Sequence, residues 1–267
     1  MKEIELEEIK RIEFNILVYI DKVCKDNNLR YSLCGGTLLG AIRHRGFIPW
    51  DDDIDIMMPR PDFDKLVDIL QTTDNEYKIL SPNQDDYYYN FAKIVDSKTI
   101  LQEHNCQPIK DMGVYIDIFP IEGMPSDSDT RDNHFNKLFR LRKRINSFAL
   151  LKPRLRKNLI KYTKNLLLYF RNKKASLHKF QQEYETLAKQ YNYDESEYVY
   201  MSGGAYGIIE MFPKSFVETY STVKFEEQEF NATTEYHQYL TQLYKDYMKL
   251  PPKDKQITHH HFTAKYR

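Results

Sequence analysis

The sequence predicts an α+β fold: a mixed sheet core, a basic helical insertion and a helical C-terminal part. Three observations predict it. Over residues 1–120, strand-length apolar runs alternate with amphipathic stretches of helical spacing. Residues 133–182 then hold no Asp or Glu but fifteen Lys or Arg, with apolar residues still at helical spacing. After Pro213 the composition becomes mixed again. The chain divides accordingly into a core (1–125), the basic helical insertion (126–195) and a C-terminal part (196–267).

Ile4, Leu6, Ile9, Ile12, Ile16, Leu17, Ile20 and Val23 recur at helical spacing, so residues 3–26 form an amphipathic packing helix that stops near Asn27-Asn28. Residues 31–34 read as a short strand running into Gly35-Gly36-Thr37, and TLLGAIRH as a helix. The loop RGFIPWDD leads to an acidic strand. Residues 62–71 read as a helix, and 77–80, 88–95 and 114–119 as strands. In the insertion, Leu138, Leu141, Ile145 and Phe148, then Leu155, Leu159, Ile160, Leu167 and Leu168, supply apolar faces to basic helices. Such helices suit an anionic membrane surface or another anionic partner, or else a solvated insertion that balances the acidic core. Residues 223–230 read as a strand, and 235–248 as a helix stopped by Pro251-Pro252.

The 267 residues, 41% hydrophobic and 29% charged, suit a globular chain. Its 39 basic and 39 acidic residues cancel, and nothing in that balance points to nucleic acid. The opening MKEIELEEIKRIEF lacks the apolar core of a secretory signal, and no run approaches the roughly 20 apolar residues of a membrane span. A cytoplasmic protein is expected, peripheral at most to the inner face of a membrane. Cys24, Cys34 and Cys106 form neither a disulfide framework nor a spaced metal site, so reduced thiols are expected.

Chemistry concentrates in IPWDDDIDIMMP. Asp53 and Asp55 flank Ile54, and Ile56, Met57 and Met58 continue the apolar run, which predicts a buried strand carrying two acids on one face. Residues two apart on a strand sit roughly 6.6 Å apart. At an effective dielectric near 20, their carboxylates repel by about 2.5 kcal/mol. A hard divalent cation is the natural compensation, and a solvated acidic turn is the alternative. Asp51 and Asp52, beside Pro49 and Trp50, read as turn residues leading into the strand. Upstream, Gly35-Gly36-Thr37 sits at a strand end before a helix, where backbone N–H groups can approach a phosphate with no Cβ in the way. Downstream, GVYIDIFP supplies Asp117 flanked by apolar residues. Two acids on one strand and a third on its neighbour can gather one or two Mg²⁺ beside a phosphate.

A GG[ST] turn, an acid-bearing apolar strand and a third acid on a later strand resemble the nucleotidyltransferase superfamily. The fuller string CGGTLLGAIRHRGFIPWDDDIDI with YIDIFP resembles the LicD family, which includes the fukutin-related proteins. FAKIVDSKT, FPKSFVETYSTVKFEEQEF and YKDYMKLPPKDKQITHH extend the likeness, which covers roughly residues 20–120 and 195–262.

The resemblance implies a nucleotidyltransferase-like core and transfer of a phospho-alcohol from a CDP-linked donor to a glycan hydroxyl, with release of CMP. Phosphocholine from CDP-choline is the expected group, with ribitol or glycerol phosphate as alternatives. The acceptor would be a glycan or lipid-linked glycan precursor of the teichoic acid or lipopolysaccharide type. Asp53, Asp55 and Asp117 would hold Mg²⁺, or Mn²⁺. Gly35, Gly36 and Thr37 would cradle donor phosphate, and Arg43 and Lys93 would neutralise the diphosphate. Asp51, Asp52 or His44 would take the hydroxyl proton; the sequence does not choose among them. Choline would need aromatic faces, for which Trp50, Tyr87, Tyr88, Tyr89 and Tyr115 are candidates. His259, His260 and His261, in the family-like tail, would help close the site. A DxD glycosyltransferase is the competing enzyme, but several strand-helix units precede the DxD in the usual form of that fold, and here little more than one helix does.

Overall fold

The computed structural model describes residues 2–73, 75–82, 84–153, 159–258 and 262–267. The chain begins with α1 (Leu6–Asp26), β1 (Ser32–Leu33), α2 (Gly35–His44), β2 (Asp55–Pro59), α3 (Arg60–Thr72), β3 (Tyr77–Leu80), β4 (Ala92–Asp96), β5 (Thr99–Glu103) and β6 (Tyr115–Met124). The insertion supplies α4 (Ser128–Asn146), α5 (Leu159–Lys173) and α6 (Leu177–Ala188). The remainder forms β7 (Tyr198–Met201), β8 (Met211–Pro213), β9 (Tyr220–Phe225), β10 (Gln228–Thr233), α7 (Tyr236–Tyr244) and β11 (Phe262–Tyr266). Helices and a mixed sheet make this an α+β fold, but the C-terminal part, expected to be helical, is mostly strand, with α7 its single α-helix among the described residues.

The main sheet runs β1-β2-β6-β4-β3, and β7 continues it from the far end of β6 toward β8. β2 and β6 are parallel; their other partners are antiparallel. α1 lies across β4 and β6 with Ile16, Leu17 and Ile20 fully buried, while α3 packs on β2, β3 and β6. Its apolar spacing explains α1. Glu7 and Glu8 in its first turn and Lys25 in its last also suit the helix dipole. The buried Arg60 at the start of α3 pairs with the fully buried Glu122 of β6 and reaches Glu185 of α6 at 3.3 Å, tying the insertion to the sheet. A second small core joins the insertion to the sheet: Phe135, Leu138 and Ile145 of α4 and Tyr184 and Ala188 of α6 meet Met124 of β6 and Tyr200 of β7.

Several elements differ from expectation. The acidic strand begins at Asp55, so Asp53 precedes the ladder and β2 carries one acid rather than two. The pairing starts just before it, where the Asp117 amide donates to the Ile54 carbonyl at 2.9 Å. Residues 223–230 are not one strand but the middle of the β9–β10 hairpin, which turns at Glu226 with a positive φ of 54°. The strand expected over 88–95 is confined to β4, because the preceding tyrosines are committed to side-chain packing and hydrogen bonds such as Tyr87 Oη to the Phe91 carbonyl at 2.9 Å. α7 stops at Tyr244 rather than running to 248, since Lys245 has φ 62° and ψ −112°. The β5–β11 pair joins Thr99–Glu103 to the last residues of the chain. Cys24, Cys34 and Cys106 are free thiols, the first two buried. Among the described residues no helix is long and apolar enough to cross a membrane.

Candidate active site

The sheet register aligns the acids. Asp55 of β2 pairs with Asp117 of β6, and Asp117 in turn pairs with Lys93 of β4. Directly opposed residues share a face of the sheet, so Asp55, Asp117 and Lys93 form one row across three strands. Neighbouring strands lie about 4.8 Å apart, and two carboxylates at that separation repel by about 3 kcal/mol at an effective dielectric near 20. Lys93 offsets part of this: its Nζ donates to Asp117 Oδ1 at 2.7 Å. Burial, then the charges of Asp53, Asp117 and Asp51, push the Asp55 carboxyl well above the usual carboxylate range.

The glycine turn serves this acid row. Gly35 adopts φ +52°, a conformation that favours glycine, and a Cβ there would stand 3.1 Å from Asp55 Oδ2. A Cβ on Gly36 would stand 2.5 Å from Asp51 Oδ2. The absent side chains let two carboxylates approach the start of α2. Thr37 turns inward: buried at 3% exposure, its hydroxyl accepts the Asp55 amide at 2.8 Å and fixes where β2 begins. The Gly35 amide donates to Tyr239 Oη of α7 at 3.2 Å, so the C-terminal part buttresses the turn.

These residues open onto a cavity of about 740 Å³. Gly35, Gly36, Asp51, Asp53, Asp55, Lys93 and Asp117 all line it. Thr37, Arg43, His44 and Asp52 do not. Arg43 instead donates to the Tyr247 carbonyl at 2.7 Å, which ties α2 to the segment after α7. His44 stands edge-on to Trp50, with burial lowering its pKa. Asp52 is buried at 3% exposure.

The aromatic candidates separate in the same way. Trp50, Tyr89 and Tyr115 line the cavity, whereas Tyr87 and Tyr88 do not. Tyr115 and Tyr89 are already engaged by a cation, the Lys93 ammonium lying 3.5 Å and 4.9 Å from their ring centres. His259, His260 and His261 lie outside the described residues, but the adjacent Phe262 lines the cavity.

Carboxylate oxygens alone suit a hard divalent cation. Asp51, Asp52 and Asp53 each bring a ligand oxygen within 4.8 Å of the others, and Asp55 and Asp117, in register with each other, line the same cavity as Asp51 and Asp53. Two further acids, one behind the cavity wall and one on it, were missed by sequence reasoning. Glu13 of α1, at 3% exposure, is pushed well above the usual carboxylate range by burial and then by Asp53, Asp52, Asp117 and Asp55. Its place among apolar positions of the first helix was the available signal. Glu210, at 1% exposure, lines the cavity and accepts the Gly207 amide at 3.1 Å. Only the glycine-rich stretch 203–207 hinted at it.

Residues 28–146, which include every acid of the row, match the family model described as the LicD/FKTN/FKRP nucleotidyltransferase domain. The chain is also similar to the lipopolysaccharide cholinephosphotransferase LicD of Haemophilus influenzae, 32% identical over 266 residues that cover 97% of each protein. The chain belongs to the LicD family. It is an enzyme of the LicD transferase type. Shorter likenesses join this LicD chain to two uncharacterised rickettsial proteins. One, from Rickettsia prowazekii, is 52% identical over 44 residues, 16% of each chain. The other, from Rickettsia typhi, is 63% identical over 30 residues, 11% of this chain and 10% of that one.

Proposed function

We propose that this LicD protein moves phosphocholine from CDP-choline onto a hydroxyl of lipopolysaccharide, or of a related cell-surface glycan precursor such as a teichoic acid, and releases CMP. The observation that carries this reading is the near full-length similarity to a lipopolysaccharide cholinephosphotransferase. The acid row behind a glycine turn supports it, and we read the sheet that carries the row as a nucleotidyltransferase-like core.

The hydroxyl oxygen forms a bond to the phosphorus that carries choline, the bond from that phosphorus to the bridging oxygen breaks, and CMP leaves with that oxygen. Asp53, Asp55 and Asp117 would hold Mg²⁺ or Mn²⁺, which when bound supplies charge neutralisation at the phosphates. Gly35 and Gly36 keep the start of α2 free of side chains, so that the Asp55 and Asp51 carboxylates can stand close to it. Lys93 holds Asp117 in place. Of the three candidates for the hydroxyl proton, Asp51 is the one that lines the cavity, which favours it over Asp52 and His44.

The reading places the enzyme at the cytosolic face of an anionic membrane, where a lipid-linked acceptor is presented. α5 supports this. Ile160, Leu167 and Phe170 are exposed at 82%, 73% and 50%, next to the exposed Lys164, Arg171 and Lys174. Apolar side chains beside cations are the signature of a helix lying in a lipid interface.

The test is to incubate the protein with Mg²⁺, CDP-choline and a lipopolysaccharide acceptor. CMP should accumulate as the acceptor gains phosphocholine. Free phosphocholine with a cytidylylated acceptor would refute the reading in favour of nucleotidyl transfer. CMP formed from CDP-ribitol or CDP-glycerol but not from CDP-choline would reassign the alcohol.

A further inference from the structure

The cavity wall is rich in acid. Asp51, Asp53, Asp55, Asp117, Glu103 and Glu210 all contribute to it. A diphosphate entering there adds negative charge and needs a cation with capacity to spare. Among the described residues, the basic side chains on the wall are Lys93, His104 and Arg142. Lys93 is 2% exposed and already bound to Asp117. His104 is exposed, and its Nε2 pairs with Thr263 Oγ1 at 2.8 Å.

Arg142 differs from both. It sits on α4, between the buried Leu138 and Ile145 that seat this helix. Asn146, one turn further on, reaches the same cavity. Arg142 Nη2 donates to the Gly203 carbonyl at 2.9 Å, and among the described residues Arg142 forms no ion pair. Glu210 feels its charge, yet the Glu210 carboxylate is held by backbone amides of the 205–207 turn. A guanidinium has five N–H donors in a planar fork that matches two phosphate oxygens, and the Gly203 carbonyl and the neighbouring Tyr200 hydroxyl engage only part of that fork.

Resting on the donor reading above, we infer that Arg142 binds the diphosphate of the cytidine donor. The first helix of the basic insertion, whose residues up to 146 fall within the family match, thereby supplies a binding residue to the site. The guanidinium, anchored on Gly203, stabilises the donor and the charge that grows on the departing CMP. A purely structural Arg142 would only pin the 203–207 loop, and the two roles separate experimentally.

The experiment measures the affinities of cytidine, CMP and CDP-choline for the full-length wild type, Arg142→Gln and Arg142→Lys, by calorimetry or by competition against a fluorescent cytidine nucleotide. Arg142→Gln should weaken CMP and CDP-choline at least tenfold and leave cytidine within about twofold, with Arg142→Lys intermediate. Unchanged affinities, or equal weakening of all three ligands, would overturn the assignment, the latter pointing to loop displacement. Cytidine and CMP lack the transferred alcohol, so the comparison stands even where that alcohol is not choline. A wild type that binds no cytidine nucleotide would overturn the donor reading, and the inference with it.

Discussion

Lys93 and Asp117 are opposed across β4 and β6, and Lys93 Nζ lies 2.7 Å from Asp117 Oδ1 with the lysine side chain 2% exposed. An ammonium this buried is tolerated because it is paired and because Tyr115, Tyr89 and Phe91 present their ring faces to it. Lys93→Met should therefore destabilise the protein by about 3–5 kcal/mol, the usual cost of stranding one partner of a buried pair. Urea unfolding checks this. Lys93→Met/Asp117→Asn should recover part of the loss while remaining inactive.

Gly36 is expected to be essential for activity rather than for folding. Its missing Cβ leaves the space that Asp51 Oδ2 occupies, 2.5 Å from where that atom would stand. Asp51 is short and partly exposed, so it can swing aside. Gly36→Ala should keep its unfolding temperature within a few degrees while kcat/KM falls by about tenfold to a hundredfold, the penalty for misplacing a reacting group by about 1 Å.

Glu210 should make stability depend on pH. Burial raises its carboxyl to about 7, above the 4.5 of a free glutamate. Between those values the folded protein holds a proton that the unfolded chain has released, which favours folding. That contribution is complete below pH 4.5 and is lost as pH rises through about 7, an effect of up to about 3 kcal/mol. Glu210→Gln should flatten the corresponding slope in unfolding curves taken from pH 5 to 8. An unchanged slope would place the titration elsewhere.

The exposed face of α5 yields a membrane prediction. Wild-type protein should float with vesicles containing anionic lipid and not with neutral ones, and replacing Ile160, Leu167 and Phe170 by Ser should abolish flotation. Indifference to lipid charge would mark the insertion as a solvated one.

Much of the core was legible because its signals are local. The spacing in α1 and the apolar flanks of Asp55 and Asp117 place helix, strands and acids without any long-range information. The hairpin was missed because Glu226-Glu227 forms a turn without the Gly, Asn or Pro that usually announces one. β5 and β11 are short, mixed in polarity and over 150 residues apart, so neither betrays the other. Within the site, residue types were readable but partners were not. Lys93 stood out as a cation near the motifs, yet its place beside Asp117 depends on register across β4 and β6. Arg142 was one of fifteen basic residues in its segment. Only the packing of α4 sets it apart from the others.

The most direct measurement follows the phosphorus atom. CDP-choline labelled with ³²P on the phosphate that carries choline, incubated with the enzyme, Mg²⁺ and a lipopolysaccharide acceptor, should transfer its label to the acceptor while unlabelled CMP is released. Asp55→Asn should slow this at least a hundredfold, as expected for loss of a key electrostatic group. Label recovered as free phosphocholine, with the nucleotide attached to the acceptor, would contradict the account.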